Sequence, residues 1–254
     1  MIGISLRRSA AGEPSVLIAA NRDELHQRAA QPAHWWEKQP EIFAGRDLSA
    51  GGTWLGVSRS GRFAAVTNVR IPGAARGSRS RGELPISFLT SDTSADAFSR
   101  SMTQAGANYG PFNLLVWDGE ALWWSSNQPK RGPASSVVDG VHALSNAALD
   151  TPWPKVRAIS DVLEHTTETD RLIAALAARG VPDGELPDTG VGRALEERLA
   201  PMFICSPEYG TRCSTVVRLL PGETRVTEVS YDATGQETGR VAERITVPGF
   251  ARRR

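Results

Sequence analysis

Four polar residues, Asn21-Arg22-Asp23-Glu24, follow directly on the apolar run Val16-Leu17-Ile18-Ala19-Ala20. An amide, a guanidinium and two carboxylates delivered at the end of a buried strand can hold a ligand, orient a nucleophile, or simply close the strand with a salt bridge. Asp23 and Glu24 are the candidate bases of the group and Arg22 its candidate anion partner. A second concentration of charge falls at about residues 70–82, where Arg70, Arg76, Arg79 and Arg81 sit among Gly, Ala, Ser and Pro without apolar periodicity. Guanidinium groups clustered on one loop suit a carboxylate or a phosphate. A loop of that length is either functional or a solvated connection. His26 and His34 lie in the polar stretch after Glu24, and His34 stands beside Trp35-Trp36. An imidazole next to a flat apolar ring is a fitting lining for an apolar pocket. No cysteine–histidine spacing resembles a zinc site, so no metal ligands are assigned. Cys205 and Cys213 imply no disulfide framework.

These groups need elements to position them. Residues 2–7 and 15–20 read as two strands joined by a Gly/Pro loop. The stretch from Asn21 to Gln39 reads as polar and irregular. Ile42 to Asp47 is short and extended, and Leu55 to Asn68 reads as a hairpin turning at Ser58-Arg59-Ser60-Gly61. Leu84–Leu89 and Thr93–Thr103 have helical spacing. Phe112 to Trp117 and Ala121 to Trp124, separated by Asp118-Gly119, form the clearest hairpin signal in the chain. Gly140 to Ser145 is a further strand. Asp150-Thr151-Pro152-Trp153-Pro154 opens a helix, and helices are also expected at about 170–178 and 193–199. Three strands follow, at 211–220, 223–231 and 237–247, and a frayed tail is expected at about 250–254. Strands at both ends with helices between them favour an α+β fold with antiparallel sheets over alternating βαβ units.

The 254 residues carry a net charge of +1, with 40% hydrophobic and 22% charged residues. That balance suits one domain spanning residues 1–254, with a sizeable core. It gives no electrostatic argument for a nucleic-acid partner. No apolar run reaches the roughly 20 residues of a membrane-spanning helix. The start has no secretory pattern, so a cytoplasmic location is expected. Phosphate-loop, dinucleotide-loop and nucleophile-elbow motifs are all missing.

Several short blocks, taken in order, resemble one family. Ala19-Ala20-Asn21-Arg22-Asp23-Glu24 resembles the motif that names the NRDE family, also called the transport and Golgi organisation 2 family. Pro32-Ala33-His34-Trp35-Trp36, Ala44-Gly45-Arg46-Asp47, Gly51-Gly52-Thr53-Trp54-Leu55-Gly56 and Ala65-Val66-Thr67-Asn68-Val69-Arg70 are similar to its next blocks. So are Arg81-Gly82-Glu83-Leu84, Phe112-Asn113-Leu114-Leu115, Leu144-Ser145-Asn146-Ala147, Thr151-Pro152-Trp153-Pro154-Lys155-Val156 and Tyr209-Gly210-Thr211-Arg212. The resemblance implies a relative of the N-terminal nucleophile hydrolases, hence a four-layer αββα sandwich of two antiparallel sheets flanked by helices. In the cysteine-type members of that superfamily a Cys after the initiator Met is the nucleophile. Arg22, Asp23, Asn68, Asn146 and Arg212 look like counterparts of the residues around it, with Asn21 and Glu24 as their neighbours.

Position 2 departs from that pattern. Most family members resemble one another in beginning Met-Cys, whereas this chain begins Met-Ile. Ile2 has no nucleophilic atom, and losing a nucleophile removes most covalent catalysis. The expectation therefore leans away from an enzyme. The resemblance implies a small-molecule carrier, with haem as the possible transported ligand rather than a resident cofactor. Arg70, Arg76, Arg79 and Arg81 would meet its propionates, Trp35 its face, and His26 or His34 its iron. An amide or ester hydrolase with an atypical nucleophile and a purely structural pseudoenzyme are the alternatives.

Overall fold

The computed structural model describes residues 1–75, 77–128 and 132–248. Its elements run β1 (Ile2–Arg8), β2 (Pro14–Leu25), β3 (Ala30–Trp35), β4 (Ile42–Asp47), β5 (Leu55–Ser58), β6 (Phe63–Asn68), α1 (Glu83–Leu89), α2 (Ala95–Ala105), β7 (Phe112–Trp117), β8 (Leu122–Ser126), β9 (Ser135–Ser136), β10 (Gly140–Leu144), α3 (Pro154–His165), α4 (Thr169–Leu176), α5 (Arg193–Leu199), β11 (Tyr209–Leu220), β12 (Glu223–Tyr231) and β13 (Glu237–Thr246). The class is α+β, with two antiparallel sheets and helices packed on each. The strands fall into two compact units. One holds residues Met1–Arg28, Asp139–Leu220 and Arg225–Arg244; the other holds Ala29–Val138 with two short returns. No described helix is long and apolar enough to cross a membrane.

The first unit is built on a six-stranded sheet ordered β10-β1-β2-β11-β12-β13. Its central strands are apolar on both faces, as strands covered on both sides must be. Leu17, Ala19, Ala143 and Val216 point to one face, against Val156, Ile159 and Leu163 of α3 and Leu172 and Leu176 of α4. That contact requires glycine at position 3. A Cβ there would lie 2.6 Å from Ile159 and 2.7 Å from Leu163. Pro154 sets the start of α3, because proline belongs in the first turn, where the backbone N–H has no helical partner, and Pro152 stands just ahead of the cap residue Trp153.

The second unit is a seven-stranded meander ordered β3-β4-β5-β6-β7-β8-β9. Ile42, Ala44, Ala64, Leu114 and Val116 form one apolar face, against Leu84, Phe88 and Leu89 of α1 and Ala95 and Phe98 of α2. Trp36 is 1% exposed and its Nε1–H donates to the Ala44 carbonyl at 3.0 Å, which closes the β3–β4 edge. Each unit thus contains one sheet layer and one helical layer.

Two elements differ from what the sequence suggests. β2 does not stop at Ala20 but continues through Leu25, because β11 pairs with it from Leu219↔Val16 to Tyr209↔Leu25. The stretch expected to be irregular after residue 21 contains β3, an edge strand whose alternation is blurred by a register shift between Gln31 and His34. Among the described residues, the basic stretch between β6 and α1 has no helix or extended strand. Arg76 and the expected frayed tail lie outside the described residues.

Candidate functional site

Since β2 continues as a strand, its side chains alternate between faces. The four polar residues are therefore split, with Asn21 and Asp23 on one face and Arg22 and Glu24 on the other.

Asn21 is 6% exposed and faces the helical layer. Its Nδ2 donates to the carbonyls of Leu176 and Met202, both at 2.8 Å, and its Oδ1 accepts from Ser214 Oγ at 2.6 Å. One amide thus ties together the end of α4, the segment before β11, and β11 itself. Asp23 continues the same face. Its Oδ1 accepts from Thr211 Oγ1 at 2.6 Å, and Thr211 Oγ1 in turn accepts from the backbone N–H of Ile204 at 2.9 Å. The Asp23 carbonyl accepts from the Tyr209 hydroxyl at 3.1 Å. Beside them the backbone amine of Met1 donates to the Asn21 carbonyl at 3.1 Å. Burial holds that amine below its usual range, while the Asp23 charge pulls it back up and Lys155 pushes it further down.

On the opposite face Arg22, 8% exposed, stands in register with Cys213. Burial drives the Cys213 thiol well above its ordinary range, the nearby Glu228 carboxylate adds to the rise, and the Arg22 guanidinium partly offsets it. Thr215 Oγ1 donates to Glu228 Oε2 at 3.1 Å. The thiol is therefore a protonated core group and not a poised thiolate. Glu24 is spent locally, accepting from the Leu25 N–H at 2.9 Å and lying 3.7 Å from Arg28 Nε.

Arg212 is the extra residue of a bulge between Thr211 and Cys213. Its Nη1 donates to the carbonyls of Leu25, His26 and Arg28 at 3.3, 3.0 and 3.5 Å, clamping the turn that ends β2. His26 Nε2 lies 2.9 Å from the Ser206 carbonyl. A carbonyl only accepts, so Nε2 carries the ring proton. Nδ1 is then the lone-pair nitrogen, and it is buried. Asn146 follows β10 two residues beyond Leu144, which pairs with Ile2, and its Oδ1 accepts from Ser145 Oγ at 3.4 Å.

The first unit thus brings together Asn21, Arg22, Asp23, Glu24, His26 and Arg212 around the β2–β11 end. Beside that end, in register with Ala20, stands Ile2, 3% exposed and aliphatic. Ser5, the next hydroxyl along β1, is buried and accepts from Arg7 Nε at 3.3 Å.

The other residues singled out by the sequence belong to the second unit. Asn68 is exposed at the end of β6. Arg79 is bonded to Glu83, with Nη2 at 2.7 Å from Oε2, and its guanidinium carbon lies 5.2 Å from the Tyr109 ring centre. Arg81 Nη1 donates to the Pro111 carbonyl at 3.0 Å. Arg70 is half-buried just after β6. Trp35 meets Phe43 edge to face, and the Arg59 guanidinium covers its ring at 3.8 Å. His34 Nδ1 lies 2.7 Å from the Pro32 carbonyl, so Nδ1 carries the proton and Nε2 the lone pair. Sequence reasoning did not single out Thr211, Ser214 and Lys155. Thr211 and Lys155 sit inside blocks that carry the resemblance, but their buried roles depend on partners far along the chain.

Comparison with known proteins agrees with the ordered blocks. The family model for transport and Golgi organisation 2 matches residues 4–232. A transport and Golgi organization protein 2 homolog of Bos taurus is 34% identical over 247 residues, covering 89% of each chain. The homolog of Homo sapiens is 33% identical over 224 residues, covering 80% of this chain and 81% of that one. Among solved structures, a mutant conjugated bile acid hydrolase from Clostridium perfringens aligns at a TM-score of 0.41 with 8% identity, over 96% of this chain and 92% of that one. At that level of likeness the fold class rests on the sheet topology of this chain itself. The long sequence matches place this chain in the transport and Golgi organisation 2 family.

Proposed function

We propose that this protein binds and hands on a small molecule without covalent turnover, and that the ligand is haem. The observation that carries the reading is the state of the β2–β11 end. The position of the expected nucleophile is a buried isoleucine, and Asn21, Asp23 and Arg212 direct their hydrogen bonds to the protein's own chain. Groups so engaged brace a fold; they do not activate a nucleophile. The family's name, transport and Golgi organisation 2, is consistent with a transport role.

For the iron, His34 is a better partner than His26. Its Nδ1–H is fixed on a backbone carbonyl, the arrangement that sets the neutral tautomer and presents Nε2 to a metal. His26 has the opposite tautomer and would have to use a buried nitrogen. Arg70, Arg76, Arg79 and Arg81 are the propionate partners of this reading, and Arg79 would have to leave Glu83 to act as one.

The test is a haem titration of the full chain, read in the Soret band. Saturable binding is expected in the wild type. His34→Ala should weaken it about tenfold or more, a loss of roughly 1.4 kcal/mol, while His26→Ala binds as the wild type does. No Soret shift, together with no transfer of haem to an apo-acceptor, overturns the reading. The internal bonding also favours a second reading, a purely structural pseudoenzyme. In that case Arg22→Ala and Asp23→Ala lower stability, and no ligand affinity exists for them to change.

A further inference from the structure

Arg79, on the basic loop ahead of α1, already holds a carboxylate. Its Nε donates to Glu83 Oε2 at 2.9 Å, and its Nη2 lies 2.7 Å from the same oxygen. The other oxygen, Glu83 Oε1, accepts from the backbone N–H of Ser80 at 3.2 Å. Two guanidinium N–H groups and one backbone N–H therefore converge on a single carboxylate. Converging N–H donors of this kind make an anion cradle, because each adds a charge-assisted or dipolar bond to the same negative group.

The backbone under this cradle is fixed within the second unit. The Arg79 N–H donates to the Asn108 carbonyl at 3.0 Å, and Ser78 Oγ donates to the same carbonyl at 3.4 Å. Arg79 and Tyr109 also form a bridge, and the guanidinium carbon lies 5.2 Å from the Tyr109 ring centre. Glycine at 77 permits this approach, since a Cβ there would lie 2.4 Å from the Asn108 carbonyl oxygen and from the Gly110 nitrogen. The ion pair itself is open, with the Arg79 and Glu83 side chains 52% and 37% exposed. A ligand reaches it from solvent without needing a cavity. An exposed pair of this kind is also weakly held, so exchanging Glu83 for another carboxylate costs little.

We propose that Glu83 is an internal stand-in for a ligand carboxylate, filling the cradle of Arg79 and Ser80 until a carboxylate on the ligand displaces it. With a propionate as the incoming group, this rests on the haem reading above. Glu83 is tethered only four residues from Arg79, so it competes at the high effective concentration of an intramolecular group. A lone carboxylate loses that competition. A ligand anchored at a second point as well, as a haem held through its iron is, competes on equal terms. Glu83 thereby sets which carboxylates the basic loop accepts.

Glu83→Gln in the full chain tests this, since it keeps the side chain's size and an acceptor for Ser80 but removes the charge. Haem affinity should rise about threefold or more, the scale of losing an exposed ionic competitor. No rise is expected for iron protoporphyrin dimethyl ester, whose propionates are capped, or when Arg79→Gln is also present. Glu83→Asp, which shortens the reach, should act in the same direction and serves if Glu83→Gln does not fold. Phenylacetate gives a readout independent of haem: the Arg79 Nε–H resonance, assigned by its loss in Arg79→Gln, should respond at lower concentration in Glu83→Gln than in the wild type. Equal haem affinities with and without Glu83, or a rise that persists in Arg79→Gln, overturn the proposal and leave the haem reading standing. Haem binding to neither chain, with the phenylacetate response as expected, overturns the haem reading alone. An Arg79 resonance that responds to phenylacetate alike in both chains, or in neither, overturns the proposal.

Discussion

Replacing Asn21 separates bracing from ligand binding at the β2–β11 end. Its side chain makes three hydrogen bonds, two to the carbonyls of Leu176 and Met202 and one from Ser214. At about 1 kcal/mol net each they contribute about 3 kcal/mol. Asn21→Leu keeps the volume, deletes all three, and leaves polar groups buried without that partner, so the loss should reach about 4 kcal/mol. That is a large part of the roughly 5–15 kcal/mol that stabilises a protein. For a chain of this size it corresponds to a fall in melting temperature of about 8–16 °C. Urea and thermal unfolding measure it, with haem titration at a temperature where the variant is folded as the second readout. A loss below about 1 kcal/mol refutes the bracket. So would unchanged stability with reduced haem affinity, since Asn21 would then be a ligand contact.

Three further outcomes follow from the first unit. Gly3→Ala drives a Cβ into Ile159 and Leu163; overpacking of this kind costs about 1–3 kcal/mol, and thermal melts should show it while the same substitution at Gly12, where nothing lies within 4 Å but φ is +79°, acts only through local backbone strain. Cys213 stays protonated in the folded chain to well above the pH at which an unfolded thiol ionises. Its contribution is therefore complete below the ordinary thiol range and is lost as pH rises through it, by up to about 1.4 kcal/mol per pH unit. Cys213→Ala should remove that slope in stability measured from pH 8 to 10. Under native conditions a thiol reagent should label exposed Cys205 and spare Cys213 until the protein unfolds.

Much of this architecture is legible locally. Asp118-Gly119 between two apolar runs announces the β7–β8 hairpin, the prolines at 152 and 154 announce α3, and the spacing at 193–199 coincides with α5. β3 is hidden because an edge strand exposes both faces and needs no clean alternation. The extension of β2 is hidden because its partner, β11, lies some 190 positions away. The same distance conceals the site. Asn21-Arg22-Asp23-Glu24 reads as one cluster along the chain, yet a strand sends its members to opposite faces. Their partners, Leu176, Met202, Thr211 and Ser214 for one face and Cys213 for the other, cannot be found by local spacing. The arginine loop shows the reverse limit: its charge is plain in the sequence, but the tie of Arg79 to Glu83 and Tyr109 is a matter of packing.

The strand orders also set a timetable for synthesis. The seven-stranded sheet is a meander whose neighbours are successive in sequence, so each strand can pair as soon as it emerges. The six-stranded sheet places β11 between β2 and β12, and β10 beyond β1. A growing chain therefore holds the β1–β2 hairpin, with the β2 edge unpaired, until residues 209–220 are made. In that interval the seven-stranded sheet can be complete while the first unit is an open, apolar ribbon available to chaperones or to other nascent chains. Substitutions that slow β11 docking should therefore reduce the yield of soluble protein before they change the properties of the molecules that do fold.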